Sequence, residues 1–117
     1  MQEVIIHGGA ARLTVAEIRR RVAEHLTGTA VERAILFGSY ARSEADATSD
    51  VDLLLIEPTE RPFVERGLQH LALFRWGVGV DLLVYTPREY ERMQADGNPL
   101  LERIAQEGVT LYARPSR

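Results

Sequence analysis

Hydrophobic residues in the first quarter of the chain recur with the spacing of an amphipathic helix. From Val15 to Leu26 they lie three or four positions apart, as on one side of an α-helix. Thr14 and Glu17 have the spacing of a capping box, and Gly28 follows the last apolar position. We therefore expect a helix that begins after Thr14 and ends near Leu26.

Farther along, apolar residues come in short runs, some interrupted by polar residues, which are typical of strands. These runs predict strands at residues 30–37, 53–56 and 80–85, with an edge strand at residues 109–112 and a short strand or extended arm at residues 4–7. Helical spacing, prolines and turn residues predict further helices at residues 40–44, 63–76, 86–95 and 100–106. The alternation indicates an α/β (α+β) fold, with a small mixed sheet flanked by helices, in a single domain over residues 1–117.

Two carboxylates open the second central strand. Asp50 and Asp52 are two residues apart, so on a strand they project from the same face. A buried anion must be paired or bound to a metal, and Mg²⁺ is suited by one or two carboxylate oxygens that leave room for water and phosphate. The pair therefore predicts a site for a hard divalent cation.

The first central strand runs directly into Gly38-Ser39. Glycine permits a sharp turn and lets a ligand approach the backbone, and serine at a helix start leaves backbone N–H groups free to meet a phosphate. A phosphate-binding turn beside a metal-binding carboxylate pair predicts metal-assisted chemistry on a nucleotide.

The segment Gly38-Ser39-Tyr40-Ala41-Arg42, followed after Ser39 by ten residues and then Asp50-Val51-Asp52, resembles the signature of the polymerase-β-like nucleotidyltransferases. More narrowly it resembles the minimal nucleotidyltransferases, called MNT proteins. Asp81, near the start of the apolar run 80–85, is the candidate third acid. Ser43 departs from the pattern, because many relatives have glycine after the arginine.

The resemblance implies a polymerase-β-like fold and transfer of AMP from Mg-ATP to an acceptor hydroxyl. It implies that Asp50, Asp52 and Asp81 are the catalytic and metal-binding residues of a two-Mg²⁺ site. Nucleotide binding would fall to Gly38, Ser39 and Arg42. Arg42 has an alternative interpretation, a salt bridge to Glu44, Asp46 or another nearby acid.

Many MNT proteins are antitoxins paired with a HEPN-domain ribonuclease toxin, so the resemblance implies adenylylation of such a toxin on a hydroxyl, typically that of a tyrosine. We expect the acceptor to be a protein, because little chain follows Asp81 to build a pocket. Two alternatives remain: an antitoxin that acts by binding alone, and a stand-alone aminoglycoside-type transferase. A small-molecule transferase usually needs a deep pocket, and this short chain would have to form its walls as a homo-oligomer.

Composition narrows the other classes. The net charge of −3, without a sustained basic block, disfavours a stable nucleic-acid partner. The absence of cysteine excludes disulfides and thiolate metal sites. No apolar run reaches the length of a membrane span and no signal peptide is evident, so we expect a cytoplasmic protein without membrane contact.

Overall fold

A four-stranded mixed sheet forms the centre of the fold. The computed structural model describes residues 10–115, so the strand or arm expected at residues 4–7 lies outside the described residues. The strands are β1 (Arg33–Phe37), β2 (Val51–Ile56), β3 (Val80–Tyr85) and β4 (Val109–Ala113), arranged in the order β3-β2-β1-β4. Strand β1 is antiparallel to β2 and β4, whereas β2 and β3 are parallel. The predicted mixed sheet and the edge position of the last strand are both confirmed.

Five helices surround this sheet in the described part of the chain. They are α1 (Val15–Leu26), α2 (Gly38–Ala41), a 3₁₀ helix (Phe63–Phe74), α3 (Pro87–Ala95) and α4 (Pro99–Glu107). The predicted capping box of α1 is present, and Thr86 and Glu89 form a second one at α3. Among residues 10–115, no helix has both the length and the apolar character needed to cross a bilayer.

Strand β2 is buried on both faces, which explains its unbroken apolar sequence. Leu53 and Leu55 pack into a core that includes α1, whereas Leu54 and Ile56 pack against α3 and α4 on the opposite face. Because side chains alternate along a strand, one run of four apolar residues serves two hydrophobic layers.

Two predicted boundaries were wrong, in both cases because of local turn chemistry. Strand β1 begins at Arg33 instead of residue 30, since the Thr29 hydroxyl donates to the Leu26 carbonyl and accepts from the Val31 N–H. Helix α2 covers residues 38–41 instead of 40–44. Gly38, with φ +75°, turns the chain at once into the helix, and Ser43, with φ 61°, interrupts the segment that follows.

The helix predicted at residues 63–76 is present at residues 63–74, but it is a 3₁₀ helix with a kink at His70. Its buried side chains are those of Arg66, His70 and Leu73. Most of its apolar side chains are exposed, among them Val64, at 88% of its surface. His70, expected to be partly buried, is almost wholly buried.

Polar contacts hold this 3₁₀ helix to the domain. Arg66 donates to the carbonyls of Arg61 and Val84 and makes two hydrogen bonds to Glu89, at 2.7 and 3.1 Å. His70 lies 2.8 Å from Glu57 Oε1 through Nε2 and 3.0 Å from His25 Nε2 through Nδ1. The buried polar side chains of Arg66 and His70 thus anchor this helix to the domain, a role that buried apolar side chains have in most amphipathic helices.

The Arg66 contacts predict a large stability effect. Arg66→Ala should lower the free energy of unfolding by roughly 2–3 kcal/mol, because the buried Val84 carbonyl and the Glu89 carboxylate lose their donor. Urea unfolding followed by circular dichroism measures the change. Arg75→Ala, an exposed arginine at the end of the same helix, is the control and should cost less than about 0.5 kcal/mol. Equal losses for the two variants would contradict the anchoring role of Arg66.

Candidate active site

The three acids predicted from the sequence lie at one end of the sheet, where β2 and β3 begin. In the parallel register Asp52 pairs with Asp81, and in the antiparallel register it pairs with Phe37, the last residue of β1. Asp50 immediately precedes β2, where the Val51 N–H donates to the Gly79 carbonyl at 2.8 Å. The sheet itself therefore brings the acids to the point where β1 passes into Gly38.

Two glycines make room for the carboxylates. A β-carbon at Gly38 would overlap the Asp52 carboxylate, and one at Gly79 would overlap that of Asp50. Gly38 also needs its glycine for conformation, because its φ of +75° lies in the left-handed region. Sequence reasoning predicted Gly38 as a turn residue but missed Gly79. The Gly77-Val78-Gly79 pattern just before β3 was the available signal.

The electrostatics of the site centre on Asp52. Its pKa is raised to about 6, first by burial, next by a hydrogen bond to Asp81, and then by the negative charges of Asp81 and Asp50. The positive charge of Arg42 acts in the opposite direction. Burial and the neighbouring negative charges thus both disfavour the ionised form of Asp52, and a cation bound there would favour it.

The donor set fits a hard divalent cation held by a pair of carboxylates. Asp52 and Asp81 supply adjacent oxygen ligands, and Mg²⁺ commonly takes one or two carboxylates and completes its shell with water and phosphate. Within residues 10–115, no three His, Asp or Glu side chains are arranged so that they could hold a metal ion together. A site that uses Asp50, Asp52 and Asp81 at once thus stays a prediction.

Arg42 directly follows α2 and forms ion pairs with two glutamates. Its Nε donates to Glu44 at 2.8 Å and its Nη1 donates to Glu107 at 2.9 Å. These bonds raise the pKa of Arg42 and match the salt-bridge interpretation, with Glu44 as one of the acids anticipated. The effect of Arg42 on Asp52 nevertheless places its charge near the acids, so its contact with a nucleotide phosphate stays a prediction.

Ser39, the other residue of the predicted phosphate-binding turn, lies in the single turn of α2. Its side chain is partly exposed, and its carbonyl accepts from the Glu44 N–H. The next residue, Tyr40, is buried in the core, and its hydroxyl oxygen has no hydrogen-bond partner within residues 10–115.

A cavity of about 380 Å³ opens beside Asp50. Ser49 and Asp50 line one side of it, and Phe74, at the end of the 3₁₀ helix, lines another. Arg12 also lines this cavity and donates from Nη1 to the Gly77 carbonyl at 3.0 Å. Neither Arg12 nor Phe74 was predicted as a site residue, because each lies far from the acids in sequence and carries no motif.

Residues 15–80 match the sequence profile of the nucleotidyltransferase domain, which is more than half of the chain. The chain belongs to the nucleotidyltransferase domain family. This confirms the predicted enzyme class. The matched segment contains the glycine–serine turn and the Asp50/Asp52 pair, and it ends one residue before Asp81.

One curated relative of this nucleotidyltransferase domain comes from Methanocaldococcus jannaschii and is named "Putative protein adenylyltransferase". The two sequences are 44% identical over 43 residues, which make up 37% of this chain. The match spans 46% of that relative, so the chain covers just under half of the curated protein that it resembles.

Solved structures share the fold of this nucleotidyltransferase domain at low sequence identity. A toxin–antitoxin structure with AMP-PNP has a TM-score of 0.62 at 17% identity, over 82% of this chain and 73% of the other. A "putative nucleotidyltransferase" from Sulfolobus solfataricus has a TM-score of 0.59 at 22% identity, over 86% and 81%. A variant of the toxin–antitoxin pair MntA–HpeT has a TM-score of 0.57 at 17% identity, over 88% and 75%. These likenesses confirm the predicted fold.

The crowding of the acids predicts that removing one charge stabilises the protein. At pH 7.5, without divalent cations, Asp52→Asn should raise the free energy of unfolding by about 1 kcal/mol. The expected gain is small because Asp52 is partly exposed and solvent screens part of the repulsion. The folded state binds more protons than the unfolded state between pH 3.8 and about 6, so wild-type stability loses this increment as the pH rises through that range.

Denaturant unfolding of both proteins from pH 4 to 7.5 tests this prediction. The difference should be largest at pH 7.5 and should vanish near pH 4. Glu24→Gln, on the exposed side of α1, controls for the loss of one negative charge. A pH-independent gain, or an equal gain in the control, would show that the repulsion at Asp52 is not its cause.

Gly38 should tolerate no side chain. Gly38→Ala should destabilise the fold by roughly 1–3 kcal/mol, because its backbone is left-handed and the added methyl group would displace the Asp52 carboxylate. Thermal unfolding measures the loss of stability. Nucleotide-binding calorimetry measures the effect of the displaced Asp52 carboxylate. Gly67→Ala is the matched control, since a β-carbon there meets no atom within 4 Å. If both variants retain wild-type stability, the proposed steric role of Gly38 is wrong.

Proposed function

We propose that this nucleotidyltransferase domain transfers AMP from Mg-ATP to a hydroxyl of a partner protein, and that it acts as an antitoxin which adenylylates a HEPN-domain toxin. The observation that carries the proposal is the pairing of Asp52 with Asp81 on adjacent parallel strands, against the glycine that ends β1. The name of the Methanocaldococcus relative and the toxin–antitoxin structures with the same fold support the choice of donor and partner.

In the proposed reaction the acceptor oxygen attacks the α-phosphorus of ATP. The bond from that phosphorus to the bridging oxygen breaks, pyrophosphate leaves, and the hydroxyl proton passes to Asp81 as general base. The backbone at Gly38-Ser39 positions the phosphates, and Arg42, if released from its glutamates, adds positive charge beside them. Mg²⁺ held by the aspartates would neutralise developing charge and align donor and acceptor.

The wall residues of the 380 Å³ cavity also suit this reaction. Asp50 lines this cavity and precedes Asp52 by two residues, so a side chain that enters the cavity comes close to the Asp50 carboxylate. The described residues form no deep apolar pocket at this position, whereas a small-molecule acceptor is usually held in one. A partner protein can bring its own hydroxyl and its own binding surface.

The test is intact-mass analysis of the product of the neighbouring gene, purified after co-expression with this chain. Wild type should add one or more AMP units, and Asp50→Asn/Asp52→Asn should add none, because the doubly neutral variant loses its cation ligands. Glu24→Gln, away from the acids, should modify the partner as wild type does.

The same experiment separates the proposal from its alternatives. A tight complex with unmodified partner, equally able to neutralise the toxin when Asp50 and Asp52 are replaced, would overturn catalysis in favour of binding alone. Transfer of AMP to an aminoglycoside without any partner protein would instead favour a stand-alone enzyme.

A further inference from the structure

The large hydrophobic side chains that are exposed within residues 10–115 all belong to the 3₁₀ helix. They form what we call the apolar face, with exposed fractions of 45% for Phe63, 88% for Val64, 58% for Leu68, 52% for Leu71 and 42% for Phe74. Leu68, Leu71 and Phe74 are spaced by three residues, although the backbone leaves helical geometry at His70, with φ −125° and ψ 32°. Contiguous apolar surface of this kind marks an interaction site.

The inner side of the helix keeps this face turned outward. Arg66 is bonded to Val84 and Glu89, and His70 to Glu57, while Leu73 fills the core between α1 and the sheet. Rolling the helix to bury its leucines would strip an arginine and a histidine of their partners, at a high desolvation cost. The apolar face is therefore a fixed surface that no element within residues 10–115 covers.

The position of the face relative to the acids identifies what covers it. At one end Phe74 lines the same 380 Å³ cavity as Asp50, so the apolar face runs directly into the candidate active site. At the other end Phe63 borders a second hollow, of about 310 Å³, with Tyr85 and Met93. A molecule that follows the face from one hollow to the other reaches the acids.

The size and chemistry of the face favour a protein over other occupants. The 12 residues of the 3₁₀ helix, at about 2 Å per residue, correspond to roughly 24 Å of helix axis, bent at His70, which exceeds a small-molecule acceptor. A nucleic acid would require a basic surface, whereas this one presents phenylalanine, leucine and valine. Apolar side chains around aromatic anchors are typical of the centre of a protein interface.

We propose that the apolar face is the docking surface of the acceptor protein, which lays an apolar patch along Phe63–Phe74 and thereby places its hydroxyl in the cavity beside Asp50. This inference rests on the proposed function for the identity of the partner as the acceptor. In this arrangement the 3₁₀ helix selects the substrate, and the acids at the ends of the strands carry out the chemistry. Specificity for one protein then resides in residues that touch neither nucleotide nor metal.

The test uses Leu68→Glu/Leu71→Glu, which places two charges on the face without altering the cavity lining. Its matched control is Gln69→Glu/Gln94→Glu, which adds the same charge at exposed polar positions, one of them on the same helix. The co-expressed product of the neighbouring gene serves as the acceptor. The measurements are the dissociation constant of the complex with the acceptor, the KM for the acceptor in AMP transfer, AMP-PNP binding by calorimetry, and the melting temperature.

The leucine variant should raise both the dissociation constant and the KM for the acceptor at least tenfold, while its AMP-PNP affinity and melting temperature stay within twofold and a few degrees of wild type. The glutamine variant should match wild type throughout. Retained acceptor affinity in the leucine variant would overturn the docking proposal and leave the proposed function standing.

Other outcomes distinguish the two proposals. Binding that depends on Leu68 and Leu71 without any AMP transfer by wild type would support the docking surface and overturn the proposed function. No binding by wild type would overturn the docking proposal for this partner. Sedimentation shows whether the leucine variant converts a dimer to a monomer. Such a conversion with an unchanged KM would assign the face to a second copy of the chain and overturn our inference.

Discussion

The candidate site depends on one feature of the backbone, the parallel pairing of β2 with β3. This pairing fixes Asp52 opposite Asp81, although the two residues are far apart in sequence. Like charges placed opposite each other on neighbouring strands destabilise a sheet. The leucines that follow both aspartates secure the register, because a slip by one residue would exchange the two buried faces of β2. Hydrophobic burial thus holds two carboxylates where they repel each other.

The glycines around the acids follow from the same constraint. Carboxylates that crowd at a sheet end need space from the neighbouring backbone, and Gly38 and Gly79 provide it by lacking a side chain. The resulting cluster of carboxylates costs the folded protein stability, and a bound cation would offset that cost. This is the relation expected at a functional site, where an arrangement that costs folding energy is retained for binding or chemistry.

The sequence predicts most of the sheet and the position of the acids, because both rest on strong local patterns. Four short apolar runs correspond to the four strands, and the spacing of Asp50 and Asp52 placed them correctly at the head of β2. The start of α2 could not be predicted, since it depends on a left-handed φ at Gly38. Nor could Arg12 and Phe74, which reach the cavity only through tertiary packing. The pairing of Arg42 with Glu107 is likewise a contact across 65 residues that no local pattern encodes.

For the 3₁₀ helix, periodicity predicted that a helix is present but not which of its sides is buried. Apolar residues spaced by three or four predict a helix, and the usual assumption is that they face the core. Here Arg66 bonds to Glu89 and to the Val84 carbonyl, and His70 bonds to Glu57, all of them on other parts of the fold. Once those bonds form, the side that carries Arg66, His70 and Leu73 is the inner side, and Leu68 and Leu71 face outward. The exposed apolar side of this helix extends to Phe74, which lines the cavity beside Asp50, and this continuity is the reason we propose it as the docking surface of the acceptor.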